Sequence, residues 1–134
     1  MNMVKPRGVI NAYSQVGVSS GVEQASPHRL IQMLMDGAIE KVAMAKGFME
    51  REETALKGSH ISWAISIIEG LRASLDKSAG GEIADNLDDL YDYMVRRLVR
   101  SNAENNMDML DEVLSLLRSV KGAWDEIPGA IGHK

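Results

Sequence analysis

Three histidines, a cluster of aspartates, a glycine pair and a run of arginines are the residues whose types and spacing could support chemistry in this chain. His28, His60 and His133 stand far apart, and none has another His or a Glu at i+3 or i+4. A bundle di-iron site needs Glu-x-x-His facing inward on two helices, and that spacing is absent. His28 opens a helical pattern and reads most simply as a solvated surface residue. Asp85, Asp88 and Asp89 crowd together near a helix start, where the macrodipole favours negative charge without any catalytic role. General acid–base work requires paired groups in a dry cleft, and nothing nearby supplies one. Gly80-Gly81 follows a helical rather than a strand pattern and lacks the lysine of a phosphate loop. Arg96, Arg97 and Arg100 suit a helix C-terminus; a patch for a phosphate or an acidic partner is the alternative. The expectation is therefore no enzyme, no metal and no cofactor.

The elements that would position these residues are helical. Ser26 is a good N-cap and Pro27 a good first helical residue. Leu30, Ile31, Leu34 and Ala38 continue on one face through Val42, Ala45 and Met49, which predicts a helix from Pro27 to about Thr54. Lys57-Gly58-Ser59 reads as a break, with Ser59 capping the next helix. That second helix, about His60 to Lys77, carries Ile61, Ala64, Ile65, Ile68, Leu71 and Leu75, with Trp63 and Ile67 widening its apolar side. Ser78-Ala79-Gly80-Gly81 reads as a stop, glycine being free to adopt positive φ. A third helix, about Glu82 to Ala103, carries Ile83, Leu87, Leu90, Tyr91, Met94 and Leu98. The fourth, about Met107 to Ile127, carries Leu110, Val113, Leu114, Leu117, Val120 and Trp124. Four amphipathic helices with short turns predict an all-α, antiparallel four-helix bundle over residues 25–127. Residues 1–24 read as a flexible N-terminal segment, either a frayed tail or a strand of chain that docks on the bundle, and 128–134 as a tail.

Composition narrows the partners. The 134 residues suit one domain, with 45% hydrophobic and 25% charged side chains and no cysteine, so disulfides are excluded. A net charge of −4 argues against nucleic acid. No run approaches the roughly 20 apolar residues of a membrane span. The first residues, Met1 to Gly8, lack the apolar core of a signal peptide, so a cytoplasmic protein is expected. Nine methionines, among them Met33, Met35, Met44, Met49 and Met94, serve either as flexible core filler or as adaptable partner surface. Gly37, Gly47, Gly70 and Gly122 fall inside helical patterns at about 1 kcal/mol each against alanine. They mark either close helix approach or shallow grooves for a foreign backbone. The wide apolar faces exceed what four helices can bury, and such excess usually marks a binding site.

The stretch Ala25 to Ile39, Ala-Ser-Pro-His-Arg-Leu-Ile-Gln-Met-Leu-Met-Asp-Gly-Ala-Ile, resembles the signature of the flagellar secretion chaperones, the FliS family. Asn11-Ala12-Tyr13, the segment Gly80 to Met94, and Ala123-Trp124 extend the resemblance in the family's order over most of the chain. Met35 stands where the family usually has tyrosine. The resemblance implies a client, the disordered C-terminal segment of flagellin, bound one to one and delivered to the flagellar export apparatus. It also implies that the N-terminal segment packs on the bundle and moves aside on binding, with Ile10, Ala12, Tyr13 and Val16 as the lid. The candidate groove comprises Ile31, Leu34, Met35, Gly37, Ile68, Leu71, Leu87, Leu90, Tyr91 and Met94. Neither nucleic acid nor membrane insertion is expected. A rival reading is a self-associating structural bundle without a client; for the chaperone, a weak homodimer of the empty protein is the further partner considered.

Overall fold

The computed structural model describes residues 26–127, so the lid candidates Ile10, Ala12, Tyr13 and Val16 and the tail from residue 128 lie outside the described residues. Four helices follow in order: α1 Pro27–Glu50, α2 Thr54–Ala73, α3 Lys77–Glu104 and α4 Met107–Asp125. Each packs on two neighbours, α1 on α2 and α4, and α3 on α2 and α4. Short turns alternate their directions, giving the antiparallel four-helix bundle expected from the sequence. Leu30, Leu34, Ala38, Val42, Ile61, Ile68, Tyr91, Met94, Leu98, Leu110, Val113 and Leu117 meet in one core. The Tyr91 phenol is enclosed there, and burial alone pushes its pKa well above the ordinary 10.0.

The start of α1 is as expected. Ser26 accepts from the Arg29 amide at 3.1 Å, and Pro27 occupies the first turn. The next two boundaries correct the sequence reading. α1 ends at Glu50, and Glu52 takes the left-handed turn position at φ 58°. Lys57-Gly58-Ser59 therefore lies inside α2, and Ser59 caps nothing; its hydroxyl donates to the Leu56 carbonyl at 3.0 Å. The reason is tertiary. Lys57 is 4% exposed, and its ammonium donates to the Asn102 carbonyl at 3.1 Å and to Asn105 Oδ1 at 2.5 Å. A cation at the C-terminal end of α3 satisfies carbonyls that have no partner within the helix. A local pattern of Lys, Gly and Ser looks like a break only while that distant partner is unknown.

Between α2 and α3 the chain breaks earlier than expected, at Ser74 to Asp76, where the Ser74 hydroxyl donates to the Leu71 carbonyl at 2.7 Å. Asp76 caps α3, accepting from the Ala79 amide at 3.3 Å. The glycine signal marks a kink rather than a stop. Gly81 sits at φ 57°, ψ −131°, a conformation that only glycine adopts without strain. The helix resumes beyond it with Ile83 and Leu87 one turn apart on the same side. Asn105 then ends α3 in the left-handed conformation, and Asn106 caps α4 by accepting from the Met109 amide at 3.1 Å. No described helix is long and apolar enough to cross a membrane.

Candidate functional site: an apolar groove at one end of the bundle

α3 runs antiparallel to α4, so the turns just past the Gly81 kink lie alongside the last turns of α4. Between them, with Met35 of α1 as the floor, lies a groove of about 380 Å³ lined by Ile83, Leu87, Val120, Ala123, Trp124 and Ile127. Ser119 is the sole polar side chain other than the indole among the described residues that line it. Val120, Ala123, Trp124 and Ile127 recur at three- and four-residue steps, so one face of α4 supplies a whole wall. Ile83 forms the opposite rim and is 59% exposed, the most exposed of the large apolar side chains described.

Trp124 is fixed from behind. Its indole stacks on the His28 imidazole with centroids 4.7 Å apart and planes 11° from parallel. Trp124 Nε1–H donates to the His28 carbonyl at 3.0 Å, and His28 Nε2 donates to the Trp124 carbonyl at 2.8 Å. His28 is thus no solvated surface residue: it is 7% exposed and clasps the first turn of α1 to the last of α4. Gln32 donates to Asp125 at 2.7 Å beside it. Lys121 pairs with Asp125 at 2.8 Å and Asp36 at 3.5 Å, and that hydrogen-bonded ammonium holds the Asp125 carboxyl below its usual range.

The other polar candidates are tied into helix-to-helix contacts. Asp88 receives Lys77 at 2.8 Å and also Arg72, whose guanidinium reaches Asp92 at 3.2 Å. Lys77 first, then Arg72, lower the Asp88 pKa. α3 runs a full turn past Arg100, so the macrodipole is not what explains the arginines. Arg96 pairs with Asp92 at 3.0 Å, Arg97 with Glu112 at 2.7 Å and Arg100 with Glu104 at 2.8 Å. Among the described residues no group of three or more His, Asp or Glu could hold a metal ion.

Of the ten groove candidates, Leu87 lines this groove half-buried, and Met35, a core residue 1% exposed, underlies it. Ile31, Leu34, Ile68, Leu71, Tyr91 and Met94 are buried in the core, and Leu90 packs partly buried against it. Gly37 is half-buried, where an added Cβ would meet Ile67 Cδ1 at an ordinary 3.5 Å. Ile67 belongs to the core, whereas Trp63 stays outside beneath Lys41, whose ammonium is 3.9 Å from the ring centroid. The methionines divide likewise: Met94 is enclosed and Met44 is 39% exposed. Ile83, Val120 and Trp124 are lining residues that the sequence places in helix stripes without marking them as groove, and Ala123 and Ile127 join them from outside those stripes. Their signal is the recurrence on α4 opposite an isoleucine just past a glycine pair.

Fold and groove together define an all-α helical bundle with an apolar groove at one end, and no reacting group is gathered between its walls in the described residues. Comparison with known proteins supplies the family. The profile of "Flagellar protein FliS" matches residues 9–130. A flagellar secretion chaperone, FliSB, of Pseudomonas aeruginosa is 53% identical over 115 residues, covering 86% of this chain and 91% of the relative. Flagellar secretion chaperone FliS of Salmonella typhimurium is 49% identical over 119 residues, 88% of each chain. That of Bacillus subtilis is 30% identical over 115 residues, 86% of this chain and 82% of the relative. The chain belongs to the FliS family, a family of export chaperones and not of enzymes.

Proposed function

We propose that this protein holds the C-terminal segment of flagellin in its apolar groove, prevents premature polymerisation, and delivers the segment to the flagellar type III export apparatus. The observation that carries this reading is the groove of Met35, Ile83, Leu87, Val120, Ala123, Trp124 and Ile127, open to solvent yet almost wholly apolar. A disordered client segment folds as it binds, laying the apolar face of a helix into such a groove. Masking that face removes the surface through which flagellin subunits would assemble. Binding energy alone performs the task, so no nucleotide is consumed. Ile31, Leu34, Ile68, Leu71, Tyr91 and Met94 form the core that holds the groove's shape, while Gly37 faces Ile67 and Leu90 packs partly buried against that core.

Isothermal titration of a flagellin C-terminal peptide into the full chain tests the proposal. One-to-one binding with a large negative heat-capacity change is expected from burial of apolar surface with coupled folding. No heat and no complex at micromolar concentrations, with the protein remaining a dimer indifferent to peptide, would overturn it in favour of a self-associating bundle.

A further inference from the structure

α1 and α2 run antiparallel, and their shared outer face carries a second apolar strip, on the side of the bundle away from the α3 and α4 walls of the groove. Lys41, Met44 and Phe48 recur at three- and four-residue steps on α1, and Leu56, His60 and Trp63 do so on α2. The two rows meet through their rings. Phe48 and His60 have centroids 4.8 Å apart, and the Lys41 ammonium lies 3.9 Å from the Trp63 centroid. Five large apolar side chains are exposed among the described residues, and three of them, Met44, Leu56 and Trp63, are here. None of these residues lines the groove. An exposed cluster of methionine and aromatic side chains is the composition that interfaces favour.

Symmetry and charge identify what fits the strip. Phe48 lies against His60 and Lys41 against Trp63, so the midpoint of Met44 and Phe48 stands level with that of Leu56 and Trp63. A twofold axis across the two helices at that level sets Met44 on the partner's Phe48 and Leu56 on the partner's Trp63, thioether against ring and aliphatic chain against indole. Lys41 stands at one end of the strip, with Glu40 at a loose 3.6 Å. Glu50, Glu52 and Glu53 crowd the α1–α2 turn at the other end. Arg51 pairs with Glu53 at 2.8 Å, while Glu52 has no ion pair among the described residues and shares a hollow of about 370 Å³ with Phe48. Lys41 and Glu52 lie five and six residues either side of the midpoint of α1's row, so the same rotation brings each copy's lysine to the other's acidic turn.

We propose that this strip seats a second copy of the chain in an antiparallel, twofold-symmetric dimer that leaves the groove of each copy open. The strip measures roughly 16 Å by 20 Å, from ~1.5 Å per residue and two helix diameters of ~10 Å. That is less than half of the ~800 Å² per partner that stable complexes bury, so the dimer is weak, with a dissociation constant on the order of 100 μM. Its formation does not depend on what the groove holds.

Sedimentation equilibrium of the full chain from about 10 μM to about 1 mM, a range that brackets this affinity, tests the proposal beside thermal melts. The parent is expected to show a monomer–dimer equilibrium. Met44→Glu and Leu56→Glu should each weaken it at least tenfold while the protein stays folded, because both side chains are exposed in the monomer. A charge swap reads the orientation: Lys41→Glu and Glu52→Lys should each weaken association roughly three- to tenfold, and the double variant should recover the parent's affinity to within about twofold. Absence of association over the whole range overturns the proposal and leaves the strip to the chain's own residues 1–25 or to a different protein. A dimer as tight in Met44→Glu and Leu56→Glu as in the parent overturns it too, by placing the contact on another face. A double variant no stronger than the single ones overturns the antiparallel arrangement.

Discussion

The His28 and Trp124 rings lie flat against each other at 4.7 Å, and each residue's ring nitrogen donates to the other's backbone carbonyl. Residues 96 positions apart thereby close the ends of α1 and α4 into one unit. The same indole is a wall of the groove, so stability and binding meet at one side chain. Trp124→Phe keeps most of the apolar wall but leaves the His28 carbonyl without its donor. It should cost about 1–2 kcal/mol in urea unfolding, whereas Trp124→Ala should cost about 3–5 kcal/mol. Equal losses for the two variants would mean that the hydrogen bond, not the packing, dominates.

Lys57 joins α2 to the end of α3 at the far end of the bundle. Its side chain is buried against the Asn102 carbonyl and Asn105. Lys57→Ala should lower stability by about 1–3 kcal/mol, since hydrogen bonds to a charged donor are lost. Peptide binding per folded molecule should be unaltered. Chemical denaturation and titration on the same sample separate the two readings.

Leu34 and Tyr91 are 1% and 2% exposed and belong to the core. Leu34→Ala should destabilise the bundle by about 2–5 kcal/mol, the range for truncating an enclosed leucine. A variant that melts as the parent does but no longer binds peptide would place Leu34 at the client surface instead.

Part of the acid sensitivity should arise at Asp88, as well as at Glu112 and Asp125, whose pKa values are also lowered. The Asp88 pKa is lowered from 3.8 by Lys77 and then Arg72, so folding favours the ionised form. The sign comes from linkage: the stabilisation is present above the unfolded value and disappears as pH falls through the folded one. Asp88→Asn removes that titration, so its stability should fall less steeply than the parent's from about pH 5 downward. Parallel curves for parent and variant in thermal melts across that range would contradict the assignment.

Much of this architecture is legible in the residues. Stripes such as Leu30, Leu34 and Ala38 announce helices, and Ser26-Pro27 announces where the first begins. Turns are harder. Lys57-Gly58-Ser59 imitates a break, yet the lysine is drawn inward by the end of α3, and Glu52 takes the left-handed position although it is not a glycine. Gly80-Gly81 is a true signal of positive φ, but it kinks α3 rather than preceding it. The groove is legible only in outline. Periodicity tells which face of a helix is apolar, and says nothing of how far the neighbouring helices cover it. Leu87 and Tyr91 share that signal, yet one lines a groove and the other is enclosed. His28 carries no local sign of its role because its partner lies at the opposite end of the bundle's sequence.

The most direct test of the account is the affinity of the flagellin C-terminal peptide for Ile83→Asp, measured by titration calorimetry beside a thermal melt. Ile83 is 59% exposed on the rim of the groove and near the start of α3, where an added acid is tolerated. The account predicts an unchanged melting temperature and peptide binding weakened at least tenfold, a loss of about 1.4 kcal/mol or more. Parent-like affinity in a folded Ile83→Asp protein would contradict it, because the client would then be held somewhere other than this groove.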